Sequence, residues 1–226
     1  MTFIPSLDDS KPRPRLPRVL DPVEIRILGS LMEKQLATPE YYPLTLNALV
    51  AACNQKSNRE PVMELSEGEL ERALGRLQDE KLAWRVMGGR AVRFDHNLDT
   101  AWHLNRSEKA LLTLLFLRGP QTAGELRGRS DRLQSFDSVA EVEELLRDMA
   151  DHSEPLVRQL PRRPGQKEER WAHTAGGAVA EAPMAAPAAG RQESGGEPLS
   201  VRVQRLEEQV AGLTAALDEL KAKLGE

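Results

Sequence analysis

Apolar positions recur at helical spacing three times in the first eighty residues. Ile25, Leu28, Leu31 and Met32 mark the first stripe. Asp21 precedes it as an N-cap, Pro22 takes the first helical position, and Glu24 sits where a capping box places its acid. The predicted helix runs to about Leu36 and stops before Pro39. A second helix is predicted over about Thr45–Asn54, with Leu46, Leu49 and Val50 inward. The third opens at Ser66, with Glu69 completing its cap, and turns Leu70, Ala73, Leu74 and Leu77 to the core. The pattern then becomes two short strands, about Ala83–Met87 and Ala91–Asp95, around the turn signal Gly88-Gly89.

The same order returns downstream. Ser107 is the predicted cap of a helix carrying Leu111, Leu112, Leu114 and Leu115, which Gly119-Pro120 ends. Thr122 and Glu125 open a short helix to about Arg129, and Ser138 and Glu141 open another with Val142, Leu145, Leu146 and Met149 inward. Strands are predicted at Leu156–Leu160 and Glu169–His173. Ser66, Leu70, Leu74 and Leu77 superpose on Ser138, Val142, Leu146 and Met149 at one constant offset. Such a repeat of three helices and a hairpin predicts a mainly α fold with small β-hairpins (α+β). Its two tandem winged-helix domains would span 20–105 and 106–174.

The end of the chain follows another period. Leu199, Val203, Leu206, Val210, Leu213, Leu217, Leu220 and Leu224 alternate in steps of four and three, an a/d seam that predicts a coiled-coil helix over 199–225. Valine at a with leucine at d favours a parallel homodimer. A single amphipathic helix folding back on the body is the alternative. An Ala/Gly/Pro-rich linker (175–198) and a proline-rich basic arm (1–19) flank the two blocks and are expected to be disordered.

Composition narrows the chemistry. The 226 residues carry a net charge of −4 and only 4% aromatics, which argues against a globally basic coat or a base-stacking platform. The single cysteine, Cys53, can neither close an intramolecular disulfide nor anchor zinc. The longest apolar stretch, Ala110–Leu117, is too short to span a bilayer. Met1–Lys11 lacks the layout of a signal peptide, so a cytoplasmic protein with no membrane partner is expected.

Two stretches carry a resemblance. EKQLATPEYYPLTLNALVAACNQKSNREPVMELSE (Glu33–Glu67) resembles the signature of the uncharacterised YceH-like bacterial family. LLTLLFLRGPQTAGELRGRSDRL and AEVEELLRDMA in the second block resemble it too. The resemblance implies a tandem winged-helix fold and supplies no catalytic residue.

No nucleophile–base set, phosphate loop or His/Cys cluster is legible, so neither an enzyme nor a cofactor is expected. Two readings remain. One is duplex DNA bound by basic hairpins (Arg85, Arg90 and Arg93; Arg162, Arg163 and Lys167), helped by Lys56, Asn58 and Arg59 of a long loop. The other is a protein adaptor docking through acidic third helices, with Glu67, Glu71, Glu143 and Glu144 outward. Residues 20–105 carry 10 basic and 13 acidic side chains, and 106–174 carry 12 of each. Neither block is basic overall, so DNA binding would require the charge to be polarised.

Overall fold

The computed structural model describes residues 15–87, 91–162 and 168–177. Its helices start where the caps dictate. In α1 (Pro22–Ala37) the Asp21 carboxylate accepts the Glu24 N–H and the Glu24 carboxylate accepts the Asp21 N–H, both at 2.9 Å. Thr45 caps α2 (Leu46–Cys53), and the Ser66/Glu69 box opens α3 (Glu67–Asp79). Strand β1 (Leu44–Thr45) had no signal in the sequence. It joins β2 (Ala83–Val86) and β3 (Arg93–His96) in an antiparallel sheet of order β1-β3-β2. A short helix, α4 (Leu98–Ala101), also unanticipated, leads to the second block.

That block holds α5 (Arg106–Arg118), α6 (Ala123–Ser130), α7 (Val139–Ala150) and the antiparallel pair β4 (Val157–Leu160) and β5 (Arg170–His173). One predicted cap is corrected. Asn105, not Ser107, receives the Glu108 N–H, and Glu108 returns the bond to Asn105. Glu108 lies three residues after Asn105, the spacing a capping box needs, whereas Ser107 has Ala110 at that position.

The repeat extends further than its helices. Third helices α3 and α7 each pack on the first strand of their own hairpin. Leu70, Leu74 and Leu77 are buried in one, and Val142, Leu146 and Met149 in the other. Even β1 has a counterpart. Gln121, just before α6, exchanges two backbone hydrogen bonds with Trp171 of β5, at 3.0 and 2.7 Å.

The two blocks meet through their first helices. Helix α1 lies along α5, and a single apolar cluster runs from Leu20 through both blocks to Ala175. Gly29 sets the approach: a Cβ there would lie 2.9 Å from the Leu117 side chain and 3.0 Å from Phe116 Cβ. A branched side chain has no room at that point. Gly29→Leu is expected to cost about 3 kcal/mol, the upper end for overpacking, and to lower the urea midpoint at unchanged m-value. A midpoint equal to the parent's would contradict this.

The residues just before α1 and just after β5 are also tied to this junction. Leu20 N–H donates to Ala175 O at 2.8 Å, and Arg18 pairs with Glu24 at 2.7 Å and with Glu80 at 2.5 Å. Residues 15–19 and 175–177, assigned from sequence to the arm and the linker, therefore hold defined positions. The rest of the arm and linker, the Gly88-Gly89 turn and the heptad positions Leu199 to Leu224 lie outside the described residues. No described helix is long and apolar enough to cross a membrane.

Candidate functional site

The loop after α2 is built by buried charge. Asn54 closes its base, donating to Leu65 O and accepting the Leu65 N–H, both at 2.8 Å. Arg26, 1% exposed on α1, donates to Cys53 O (3.0 Å) and Pro61 O (2.6 Å), holding both ends of the loop. Glu60 N–H reaches Leu117 O at the end of α5, at 2.8 Å. Burial pushes the Cys53 thiol up to about 11, so it sits among these groups as a neutral, unreactive side chain.

Arg59 is corrected by this arrangement. The sequence places it among the phosphate contacts, but its side chain is fully buried. It donates to Ala52 O at 3.0 Å and grips Glu33 of α1 through two bonds of 3.1 and 2.6 Å. Burial alone would raise the Glu33 carboxyl, but the Arg59 guanidinium outweighs it and keeps the acid ionised. A charge already neutralised inside the fold cannot serve a phosphate outside it.

The exposed tip of the same loop opens on a cleft. Lys56 is exposed, and Asn58, at φ 59°, turns its side-chain oxygen to the Arg118 guanidinium. Together with Gln55 and Ser57 they form one wall of a cleft of about 710 Å³. Arg118 of α5, Arg129 of α6, Arg132 just beyond α6 and Lys34 of α1 line the same cleft. Leu114, Leu117 and Leu133 form its apolar floor. Its one acid, Glu33, is already bound to Arg59. Burial lowers the Arg118 pKa, with the neighbouring Arg129 adding to it and Glu60 opposing. Arg118, Arg129 and Arg132 are not among the phosphate contacts expected from the sequence.

The remaining candidates are scattered. Arg85 and Arg93 are exposed on the first hairpin, outside the cleft. Arg85 lies 6.0 Å from the Phe94 ring centre, and Arg93 donates to Pro43 O at 2.7 Å. Among the described residues neither has a carboxylate partner. Arg162 is exposed on the second hairpin, 3.6 Å from Glu169. Arg90, Arg163 and Lys167 lie outside the described residues. Glu67, Glu71 and Glu144 are exposed on the third helices, and half-buried Glu143 pairs with Arg147 at 2.8 Å. Among the described residues no cluster of three metal-ligating side chains forms.

Comparison with known proteins is consistent with these features. Residues 20–166 match the family model described as "Protein of unknown function, DUF480". A UPF0502 protein of Geobacter metallireducens is 50% identical over 196 residues, 85% of this chain and 89% of the relative. One from Azoarcus sp. is 46% identical over 209 residues, 89% of this chain and 92% of the relative. A third, from Burkholderia ambifaria, is 44% identical over 219 residues and covers 95% of this chain and 93% of the relative. The chain therefore belongs to the DUF480 family of bacterial UPF0502 proteins.

Proposed function

We propose that the described unit is a pair of tandem winged helices and that the protein is non-enzymatic, binding duplex DNA mainly through its hairpins. In this reading the heptad tail joins two copies, and the working site is cytoplasmic. The fold reading rests on the repeat, in which three helices, a hairpin and a strand or bridge before the second helix occur twice in the same order. The DNA reading rests on one observation: Arg85 and Arg93 stand exposed on the first hairpin without a carboxylate partner among the described residues. An exposed guanidinium with no carboxylate beside it is suited to phosphate oxygens.

The acidic third helices shape this proposal. Glu67 and Glu71 on α3, and Glu144 on α7, would meet phosphates if either helix entered a major groove. Contact by hairpins alone reads backbone and shape rather than base edges, so low sequence selectivity follows. Fluorescence anisotropy with a random 30-base-pair duplex tests this. Affinity should fall steeply between about 50 and 200 mM salt, and Arg85→Ala with Arg93→Ala should reduce both the affinity and the salt slope. A flat titration at the lowest salt would remove the DNA reading. The exposed carboxylates of α3 and α7 favour the second reading, a protein adaptor that docks through those helices on a basic partner.

A further inference from the structure

The cleft between the two blocks suits a different ligand from the hairpins. We propose that it binds a nucleotide-sized phosphate ester, with the phosphate held by Arg118, Arg129, Arg132 and Lys56 and the ring or other apolar part on the leucine floor.

Three observations support this. The first is shape. A concave space of about 710 Å³ falls in the range of small-ligand sites, whereas a duplex needs an open, extended surface. The second is charge. Four cations converge from the loop, α5 and α6, and the only acid of the lining is held by buried Arg59. Part of their donor capacity is uncommitted. Arg118 donates to Asn58 and Arg129 to Gln121 Oε1 at 2.6 Å, while the nearest carboxylate to Arg129, Glu125, stands at 3.8 Å. The third is the floor. Leu114, Leu117 and Leu133 line the same space as the guanidinium groups, and this pairing of apolar surface with a few convergent donors is how small-molecule sites fix orientation. Gln55 and Ser57 add amide and hydroxyl groups at the rim.

Location gives such a site a consequence. Its walls belong to different blocks, so a bound ligand would bridge the loop of the first to α6 of the second. Binding there is independent of the hairpin reading, since Arg85 and Arg93 do not line the cleft.

Calorimetric titration of the full chain with ADP, inorganic pyrophosphate and a 12-nucleotide oligothymidine tests the proposal. ADP should bind with a Kd below about 100 μM, and pyrophosphate about tenfold more weakly because it leaves the leucine floor empty. Arg129→Ala with Arg132→Ala should weaken ADP binding by at least about tenfold. The double variant also takes the donor from buried Gln121 Oε1 and should melt lower, whereas Arg132→Ala alone, at an exposed residue, should weaken ADP binding at an unchanged thermal midpoint. Lys56→Ala should act in the same direction, and Arg85→Ala with Arg93→Ala should leave ADP binding intact. No heat from ADP at millimolar concentration would overturn the proposal. So would ADP binding that ignores Arg129 and Arg132, or pyrophosphate binding as tightly as ADP. Oligothymidine binding that depends on those arginines, with no ADP binding, would make the cleft a strand track and overturn it as well.

Discussion

Arg59→Ala is expected to destabilise the protein by about 3–5 kcal/mol, the usual cost of breaking a buried ion pair from one side. Glu33 keeps its charge at low exposure with only Lys34, at 3.4 Å, left to offset it, Ala52 O loses its donor, and the loop loses the guanidinium around which it folds. Because a folded domain is stable by only about 5–15 kcal/mol, this is a large share of the total. Urea unfolding measures the loss. A companion variant locates its source: Arg59→Met with Glu33→Leu removes both charges and should recover much of the stability, since an apolar pair avoids the desolvation penalty. A loss below about 1 kcal/mol for Arg59→Ala would place the pair among surface salt bridges and contradict its burial.

Acidification should lower the stability of the protein over two pH intervals. His96 and His173 come first. Burial lowers His96 to about 4, with Asp99 and Asp95 opposing and Lys109 assisting. Its Nε2 faces Gln35 Oε1 at 3.0 Å and its Nδ1 accepts the Leu98 N–H, so the neutral ring uses both nitrogens. Burial alone lowers His173, which packs edge-on against Phe116, to about 4. Both rings are neutral in the native state and have an ordinary pKa of 6.5 in the unfolded chain. Between those values the unfolded chain binds more protons, so stability falls as pH drops through 6.5 and levels near 4 for these two groups. By pH 5 each ring has cost about 2 kcal/mol.

The second interval belongs to Glu24. Burial pushes its carboxyl up, but hydrogen bonds from Arg18, the Asp21 backbone and Arg76 outweigh this and hold it at about 2, below its ordinary 4.5. Its contribution is present above 4.5 and is lost as pH falls toward 2. Urea midpoints at pH 7.5, 5 and 3 should therefore decline across both intervals, and His173→Phe should flatten the upper one. Equal midpoints at pH 7.5 and 5 would contradict the two neutral rings.

Local rules made much of this fold legible. Caps at Asp21, Ser66, Thr122 and Ser138 are three-residue signals, and the offset between α3 and α7 follows from buried positions that share a spacing. Ser107 was misplaced because two capping residues stood close together and only the Glu108 spacing separates them. Strand β1, two residues long, owes its existence to the pairing of Leu44 with Phe94 fifty residues away, which no local pattern encodes. The candidate site was legible only in part. Lys56 and Asn58 were found through the unusual length of their loop. Arg59 shows the limit, since an arginine reads as a surface charge until the acid that buries it is known. The cleft was hidden because its cations come from α1, the loop, α5 and α6, which only the packing of α1 on α5 brings together.

That packing separates two kinds of boundary. The sequence repeats near residue 105, yet a chain severed there would carry α1 with its Gly29 face bare, because Leu117 and Phe116, which fill that face, would be gone. Half the protein would then present an oily flank to water and adhere to whatever covered it. What is copied in the sequence is one motif, whereas the shared core predicts that the pair melts as one.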